Sequence, residues 1–417
     1  MNVAVVGGGW SGLAAAVTLV RAGHKVTLCE MAAQLGGRAR RVDSDGLALD
    51  NGQHILIGAY TSTLDLMDAV GVDVPQVLRR SPLQFVDAQG HGLRLPAGAP
   101  MLAFVQGVLA HRGWRWSERL SLLAAASRWA LQGFACDEAL SVAALTRRLP
   151  ARLRDELIDP LCVAALNTPA PQASARVFLR VLKDALFSGA GSADLLLPSR
   201  HLDDLLPGPA QTWLTQHGAH LRLGRRAMRL RLEGSTWLLD DEPFDAVVLA
   251  ATALEAARLA EPIAPAWAAQ ARALRYEPIV TVYLRGAQAA LPFPMLALRS
   301  DDAGPAQFVF DHGSLRGEPG LLAFVISGAA PWVERGNEAV IEAVQAQAAA
   351  QLAVGELEPC RVLTEKRATF ACVPGLQRPG ARIAPRLFAA GDYIAGPYPA
   401  TLEGAVRSGL DAAAAVG

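Results

Sequence analysis

The chain has 417 residues, 52% hydrophobic and 19% charged, which is enough apolar material for two domains with buried cores. Lys+Arg and Asp+Glu both number 39, so the formal charge is zero and no basic run offers the field that nucleic acid or an acidic partner needs. A nucleic-acid-binding role is excluded on that ground.

Asn2 to Val6 is β-branched and apolar on both faces, the pattern of a buried parallel strand. Gly7-Gly8-Gly9-Trp10-Ser11-Gly12 then fits G-x-G-x-x-G. Gly7 permits the tight turn, Gly9 lets backbone approach a pyrophosphate, and Gly12 lets helix lie against strand. A helix from about Ser11 to Ala22 aims its N-terminal N–H groups at the phosphates, and Gly23 ends it. Lys25 to Glu30 is a second strand, and Glu30, 18 residues beyond Gly12, is placed to accept hydrogen bonds from ribose hydroxyls. The apolar start lacks the basic segment of a signal peptide and carries the glycine fingerprint where a hydrophobic core would continue.

Leu35-Gly36-Gly37-Arg38 follows directly, its glycines allowing close backbone approach and Arg38 offering a charged fork to phosphate or a nearby carbonyl. Asp50-Asn51-Gly52-Gln53-His54 comes twelve residues on from Arg38. A helix is expected over Thr61 to Val70, and a hairpin over Leu83–Val86 and Leu93–Leu95. Helices are expected over Met101–Ala110, Ser117–Gln132, Leu140–Arg148, Ala151–Asp159 and Ala173–Phe187. Leu221–Gly224, Arg226–Leu232, Trp237–Leu239 and Ala246–Ala251 are read as strands returning to the nucleotide sheet. Beyond Ala256 come strands at Ile279–Leu284, Phe308–Phe310 and Leu322–Ile326, a helix at Glu338–Leu352 and a strand at Arg361–Phe370.

Leu387 to Ala390 is a small-residue strand running into Gly391-Asp392, and Thr401-Leu402-Glu403-Gly404-Ala405 starts a helix, a second helix N-terminus for the cofactor. The fold class is therefore α/β. A discontinuous Rossmann-type nucleotide domain (1–78, 196–255, 378–417) carries an inserted α+β substrate domain (79–195, 256–377). The five cysteines are scattered, odd in number and without a Cys-x-x-Cys pair, which fits a reducing cytoplasmic compartment; no metal site is expected. No run of about 18 uncharged apolar residues is present, so no segment is expected to span a bilayer.

The Gly36-Gly37-Arg38 segment resembles that of the flavoprotein superfamily of amine oxidases, phytoene desaturases and Rab GDP-dissociation inhibitors. Asp50 to Tyr60, Leu166-Asn167-Thr168-Pro169, Phe308 to Asp311 and Tyr398 to Ala405 together resemble the bacterial hydroxysqualene dehydroxylases, over Met1 to about Gly409. The resemblance implies one FAD and an amine-oxidase-like fold, and with no His or Cys in a recognisable flavin-linking motif the FAD is expected to be held noncovalently. It implies cofactor contacts from Gly7, Gly9, Ser11, Gly12, Glu30, Gly37, Arg38, Gly52, Gln53, His54, Gly391, Asp392, Thr401, Leu402, Glu403 and Ala405. It also implies reductive removal of the hydroxyl of hydroxysqualene, a long-chain isoprenoid, giving squalene for hopanoid synthesis. The hydroxyl is allylic, so loss of water leaves a delocalised cation that a flavin hydride can quench.

Candidate acids for that step are His54, beside the expected flavin-contact loop, and Asp311, at a strand end in the second domain. A carotenoid-type desaturase, running hydride toward the flavin, is the nearest alternative. An amine oxidase would place an aromatic residue just before the helix start, where this chain has Thr401-Leu402. A non-catalytic prenyl-binding protein is the alternative outside enzymes. Finally, Met101 to Gln132 carries Trp114, Trp116 and Trp129 among Arg112, Arg115, Arg119 and Arg128, a mixture suited to peripheral contact with a membrane.

Overall fold

The computed structural model describes residues 1–44 and 46–417. At its centre is a six-stranded sheet in the order His220–Arg222, Lys25–Cys29, Asn2–Val6, Ala246–Leu249, Leu387–Ala389, Arg382–Ala384. The first five strands are parallel and the edge strand Arg382–Ala384 is antiparallel. Side-chain alternation splits the first strand between two cores. Val3 and Val5 join the helices Trp10–Arg21 and Leu402–Val416, while Ala4 and Val6 face the opposite layer. The two helices meet so closely that a Cβ on Gly409 would stand 2.1 Å from the Ser11 carbonyl oxygen.

The expected return of four strands to this sheet is corrected. Only His220–Arg222 and Ala246–Leu249 join it, whereas Leu230–Glu233, Thr236–Leu239 and Glu242–Phe244 form a separate antiparallel meander. Their connections are two residues long, and Asp240 and Asp241 sit at φ 50° and 70° in the second turn. Such turns reverse the chain, while parallel pairing needs a crossover of a dozen residues or more.

The second domain is built on a five-stranded antiparallel sheet ordered Met295–Ala297, Phe308–Asp311, Leu321–Ile326, Tyr276–Arg285, Glu358–Phe370. One face, with Val280, Val282, Val309 and Phe324, packs against Val340, Val344 and Ala348 of the Asn337–Gln351 helix. The other face, with Phe308, Phe310, Ile279, Val325 and Leu363, lines a cavity. Helices Pro100–Ala110, Trp116–Leu131 and Ala175–Phe187 close that cavity from the far side. The helix expected over Ala151–Asp159 runs on to Leu166 through a π-turn at Arg154–Ile158. Strand Leu195–Pro198 pairs with both Leu56–Ile57 and Leu78–Ser81, so the divisions expected at 78 and 195 fall inside one small sheet.

Two of the three tryptophans expected at a membrane interface are interior. Trp114 donates from Nε1 to Glu156 at 2.9 Å and stacks on His111, and Trp129 is buried; Trp116 alone is exposed.

Candidate functional site

The glycine turn is held by contacts that exclude side chains. A Cβ on Gly7, at φ 110°, would lie 2.5 Å from the Ala250 carbonyl oxygen, and one on Gly12 would lie 1.9 Å from that of Gly7. Gly12 thus serves the packing of helix on strand and lies behind the turn, whereas Gly7, Gly9 and Ser11 line the cavity. Glu30 closes the second strand with both carboxylate oxygens engaged. Oε2 accepts from Gly8 N at 2.7 Å and Oε1 from Ala32 N at 2.8 Å. Each oxygen keeps a lone pair at the cavity wall, so Glu30 both shapes the turn and retains acceptor capacity.

Gly37 and Arg38 lie on the same wall. The Arg38 guanidinium donates to Ala368 O at 2.5 Å, to Arg367 O at 3.2 Å and to Asp392 Oδ1 at 2.7 Å. Of the two partners expected for it, the structure supplies the carbonyls and adds a carboxylate. The Arg38–Asp392 pair ties the N-terminal glycine segment to Gly391-Asp392 and to the long strand of the second domain.

Asp50, fully buried, anchors the Asn51 to His54 loop from behind. It is paired with Arg316, lies 3.5 Å from His201 Nδ1 and accepts from Leu202 N at 3.0 Å. Burial works against its charge, but the His201 hydrogen bond and Arg316 outweigh it and hold the carboxyl below the ordinary range. Tyr283 extends the arrangement by donating to Asp50 O at 2.8 Å and accepting from Gln53 Nε2 at 2.9 Å. Tyr283, His201 and Arg316 are supporting residues that sequence reasoning missed.

His54 faces the cavity with Nδ1 3.3 Å from Gly52 O, and burial lowers its pKa. An Nδ1–H donating to that carbonyl leaves Nε2 as an acceptor. His54 therefore rests in its neutral form and must gain a proton before it can give one.

Asp311, the other candidate acid, does not line this cavity. It is buried on the far side of its strand, because Phe308 and Phe310 take the cavity side and alternation sends Val309 and Asp311 the other way. Its carboxylate caps helix His312–Arg316 by accepting from Ser314 N at 3.2 Å, and accepts from Leu291 N at 3.0 Å. These bonds give it a structural duty at the strand end.

At the C-terminal motif, Thr401 caps helix Leu402–Val416 by accepting from Gly404 N at 3.0 Å. Glu403 accepts from Thr63 N at 2.9 Å, Thr63 Oγ1 at 2.7 Å and Arg407 Nε at 2.7 Å. Its carboxylate thus caps a neighbouring helix, Thr61–Ala69.

Apart from Gly12, all the expected cofactor residues line one cavity of about 1150 Å³: Gly7, Gly9, Ser11, Glu30, Gly37, Arg38, Gly52, Gln53, His54, Gly391, Asp392, Thr401, Leu402, Glu403 and Ala405. Four tyrosines line it too, Tyr60 and Tyr398 from the quoted motif segments and Tyr276 and Tyr393, which sequence reasoning did not name. Burial pushes Tyr276 up to about 12 and raises Tyr60 and Tyr393, and the Tyr393 hydroxyl has no hydrogen-bond partner among the described residues. Toward the second domain the walls turn apolar, with Phe104, Leu122, Leu157, Leu161 and Leu182. The volume exceeds the roughly 300–1,000 Å³ typical of a single small-molecule pocket.

A family model described as flavin-containing amine oxidoreductase matches residues 10–417. The chain belongs to that family. It is a flavin-dependent oxidoreductase, and the donor set fits the group, with a glycine turn at a helix N-terminus, an acidic strand end and a second helix start around one chamber. The chain is similar to the hydroxysqualene dehydroxylase of Rhodopseudomonas palustris, 28% identical over 99% of this chain and 97% of that protein. It is similar also to a 15-cis-phytoene desaturase of Capsicum annuum, 25% identical over 100% of this chain and 78% of that protein. Among solved structures, an oxidoreductase from Methanosarcina mazei has the same fold, with a TM-score of 0.75 at 15% identity and 99% coverage of both chains.

Proposed function

We propose that this flavoenzyme binds FAD and removes the hydroxyl of hydroxysqualene reductively, giving squalene, and that it meets this isoprenoid substrate at a membrane surface. The observation that carries the reading is the single chamber. The polar, glycine-lined end suits a dinucleotide and is continuous with an apolar end suited to a long hydrocarbon, and His54 and Gln53 line the same chamber. The near full-length likeness to a hydroxysqualene dehydroxylase supports this substrate over a carotene precursor.

Reduced FAD, when bound, would supply the hydride that replaces the lost hydroxyl. The rest falls to the chain. Glu30, the glycine turn and the Leu402–Val416 helix start bind and orient the dinucleotide. His54, neutral with Nε2 free, accepts a hydrogen bond from the substrate hydroxyl; once protonated it gives its proton to the departing oxygen, which leaves as water. The walls formed by Phe308, Phe310, Leu161 and Leu182 keep bulk water from the allylic cation. Anaerobic incubation of photoreduced protein with hydroxysqualene, followed by product analysis, tests the reading. Squalene is the expected product. New double bonds made in squalene or a carotene precursor by the oxidised protein, with no dehydroxylation by the reduced form, would replace this reading with a desaturase.

A further inference from the structure

Seven of the eleven exposed large hydrophobic residues in the described chain lie in one place. Met101, Leu102 and Leu109 are on helix Pro100–Ala110, Trp116, Leu120 and Leu131 on helix Trp116–Leu131, and Phe187 ends helix Ala175–Phe187. The first two helices form a hairpin through His111–Arg115, and their outward stripes are apolar at helical spacing: Leu102 and Leu109 on one, Trp116, Leu120, Ala124 and Leu131 on the other. From Leu95 to Ala110 there is no charged residue at all. A helix with so little polar surface is ordinarily covered on all sides, yet this one has an open face.

That face is continuous with the cavity. Met101, Leu102, Leu131 and Phe187 are exposed, Leu131 at 90%, and the same four residues line the chamber, so they rim its mouth. The ring of Phe187 meets that of Phe134, another lining residue, edge-on at 4.9 Å. The hairpin and its following residue, 100–132, hold Arg112, Arg115, Arg119 and Arg128 against Glu118, a basic surplus in a chain of zero net charge. Glu118 is engaged with Arg115 N at 2.6 Å, and the Arg119 guanidinium lies 4.7 Å from the Trp116 ring centroid.

We propose that this hairpin and the end of the Ala175–Phe187 helix dock on the interface of an anionic bilayer, so that the cavity mouth opens directly into lipid. The proposal deepens the isoprenoid reading given above and rests on it for the purpose of the mouth. An apolar rim around an apolar chamber lets a hydrocarbon pass between lipid and protein without crossing water. The basic surplus is attracted to anionic headgroups and opposes pairing with a second copy carrying the same charge. A protein partner seated here would also seal the opening.

The test is flotation of the flavin-loaded protein with phosphatidylglycerol/phosphatidylcholine vesicles and with phosphatidylcholine vesicles alone. It is run beside a triple variant Leu109→Glu/Trp116→Glu/Leu120→Glu, whose positions are exposed and lie outside the chamber lining. Wild type is expected to float with the anionic vesicles and less with the neutral ones, and the variant to lose about tenfold or more of that binding while keeping its flavin spectrum and melting temperature. Turnover of vesicle-embedded substrate should fall in the variant while turnover of detergent-dispersed substrate stays. Equal flotation of both proteins, or wild type left in the soluble fraction, overturns the proposal. So does a concentration-dependent dimer that the triple variant abolishes, which would assign the face to a second copy. Flotation needs no turnover, so vesicle binding by a protein that leaves hydroxysqualene unchanged would refute the proposed reaction and leave the docking surface standing.

Discussion

Replacing Glu30 by glutamine separates the brace that it forms for the glycine turn from the ribose contact proposed for it. Its carboxylate holds Gly8 N at 2.7 Å and Ala32 N at 2.8 Å, one on each oxygen. Glutamine keeps one acceptor oxygen and puts an NH₂ group where the second was, so one of those N–H groups faces a donor. A charge-assisted hydrogen bond is worth about 1.5–3 kcal/mol, and the apoprotein should lose stability of that order. The remaining lone pairs are the ones available to ribose hydroxyls, and weakening one such bond by the same amount raises the dissociation constant for FAD roughly 10- to 150-fold. Flavin fluorescence titration of apoprotein gives the second quantity and thermal unfolding of apoprotein the first. A Glu30→Gln variant that binds FAD as tightly as wild type, with only its melting temperature lowered, would refute the ribose assignment and leave Glu30 as a brace for the glycine turn.

Because burial holds the His54 pKa below 6.5, turnover that uses protonated His54 should rise about tenfold for each unit that pH falls, from neutral down through the window between 6.5 and the lowered pKa, and level off below that pKa; His54→Gln should flatten that profile. The same shift means the unfolded chain binds more protons than the folded one in that window, so the His54 contribution to stability is complete above 6.5 and is lost as pH falls, which thermal melts across pH would show. Asp311→Ala removes a helix cap and leaves the part-buried Leu291 N–H without its acceptor, so it should cost about 1–3 kcal/mol in denaturant unfolding while kcat per flavin stays as in wild type; a collapse of kcat with stability intact would assign Asp311 to the chemistry. Gly409→Ala puts a methyl 2.1 Å from the Ser11 carbonyl oxygen and should destabilise by about 1–3 kcal/mol while lowering flavin occupancy, since Ser11 lines the chamber.

The nucleotide-binding ends of the chain were legible because each of their glycines answers a local need. A turn, a close approach or a helix packed on a strand leaves its mark at fixed spacing. Ala246–Leu249 reads as a buried strand for the same reason, but its place between Asn2–Val6 and Leu387–Ala389 is a tertiary fact that no local pattern encodes. Asp311 shows a signal that was available and outweighed. Phe308-Val309-Phe310-Asp311 alternates, and two aromatic residues on the cavity side put the carboxylate on the other. The support behind the Gln53 loop was invisible by contrast. Asp50 and Arg316 are 266 positions apart, and an isolated arginine at the end of a short helix carries no periodicity that could announce its partner. Trp114 and Trp129 mislead for a related reason, since a basic, tryptophan-bearing helix looks alike whether its aromatic rings face the core or the solvent. Here the solvent stripe is carried by leucines and Trp116 instead.

The central claim is the direction of the reaction, and isotope transfer tests it most directly. Enzyme whose flavin has been reduced with deuteride from a stereospecific donor, given unlabelled hydroxysqualene without oxygen, should yield squalene with deuterium on the carbon that lost the hydroxyl. Squalene formed with no label at that carbon, under conditions where the flavin deuteride does not exchange with water, would contradict hydride delivery from the flavin. So would a reduced enzyme that leaves hydroxysqualene untouched while its oxidised form takes hydride from a saturated carbon.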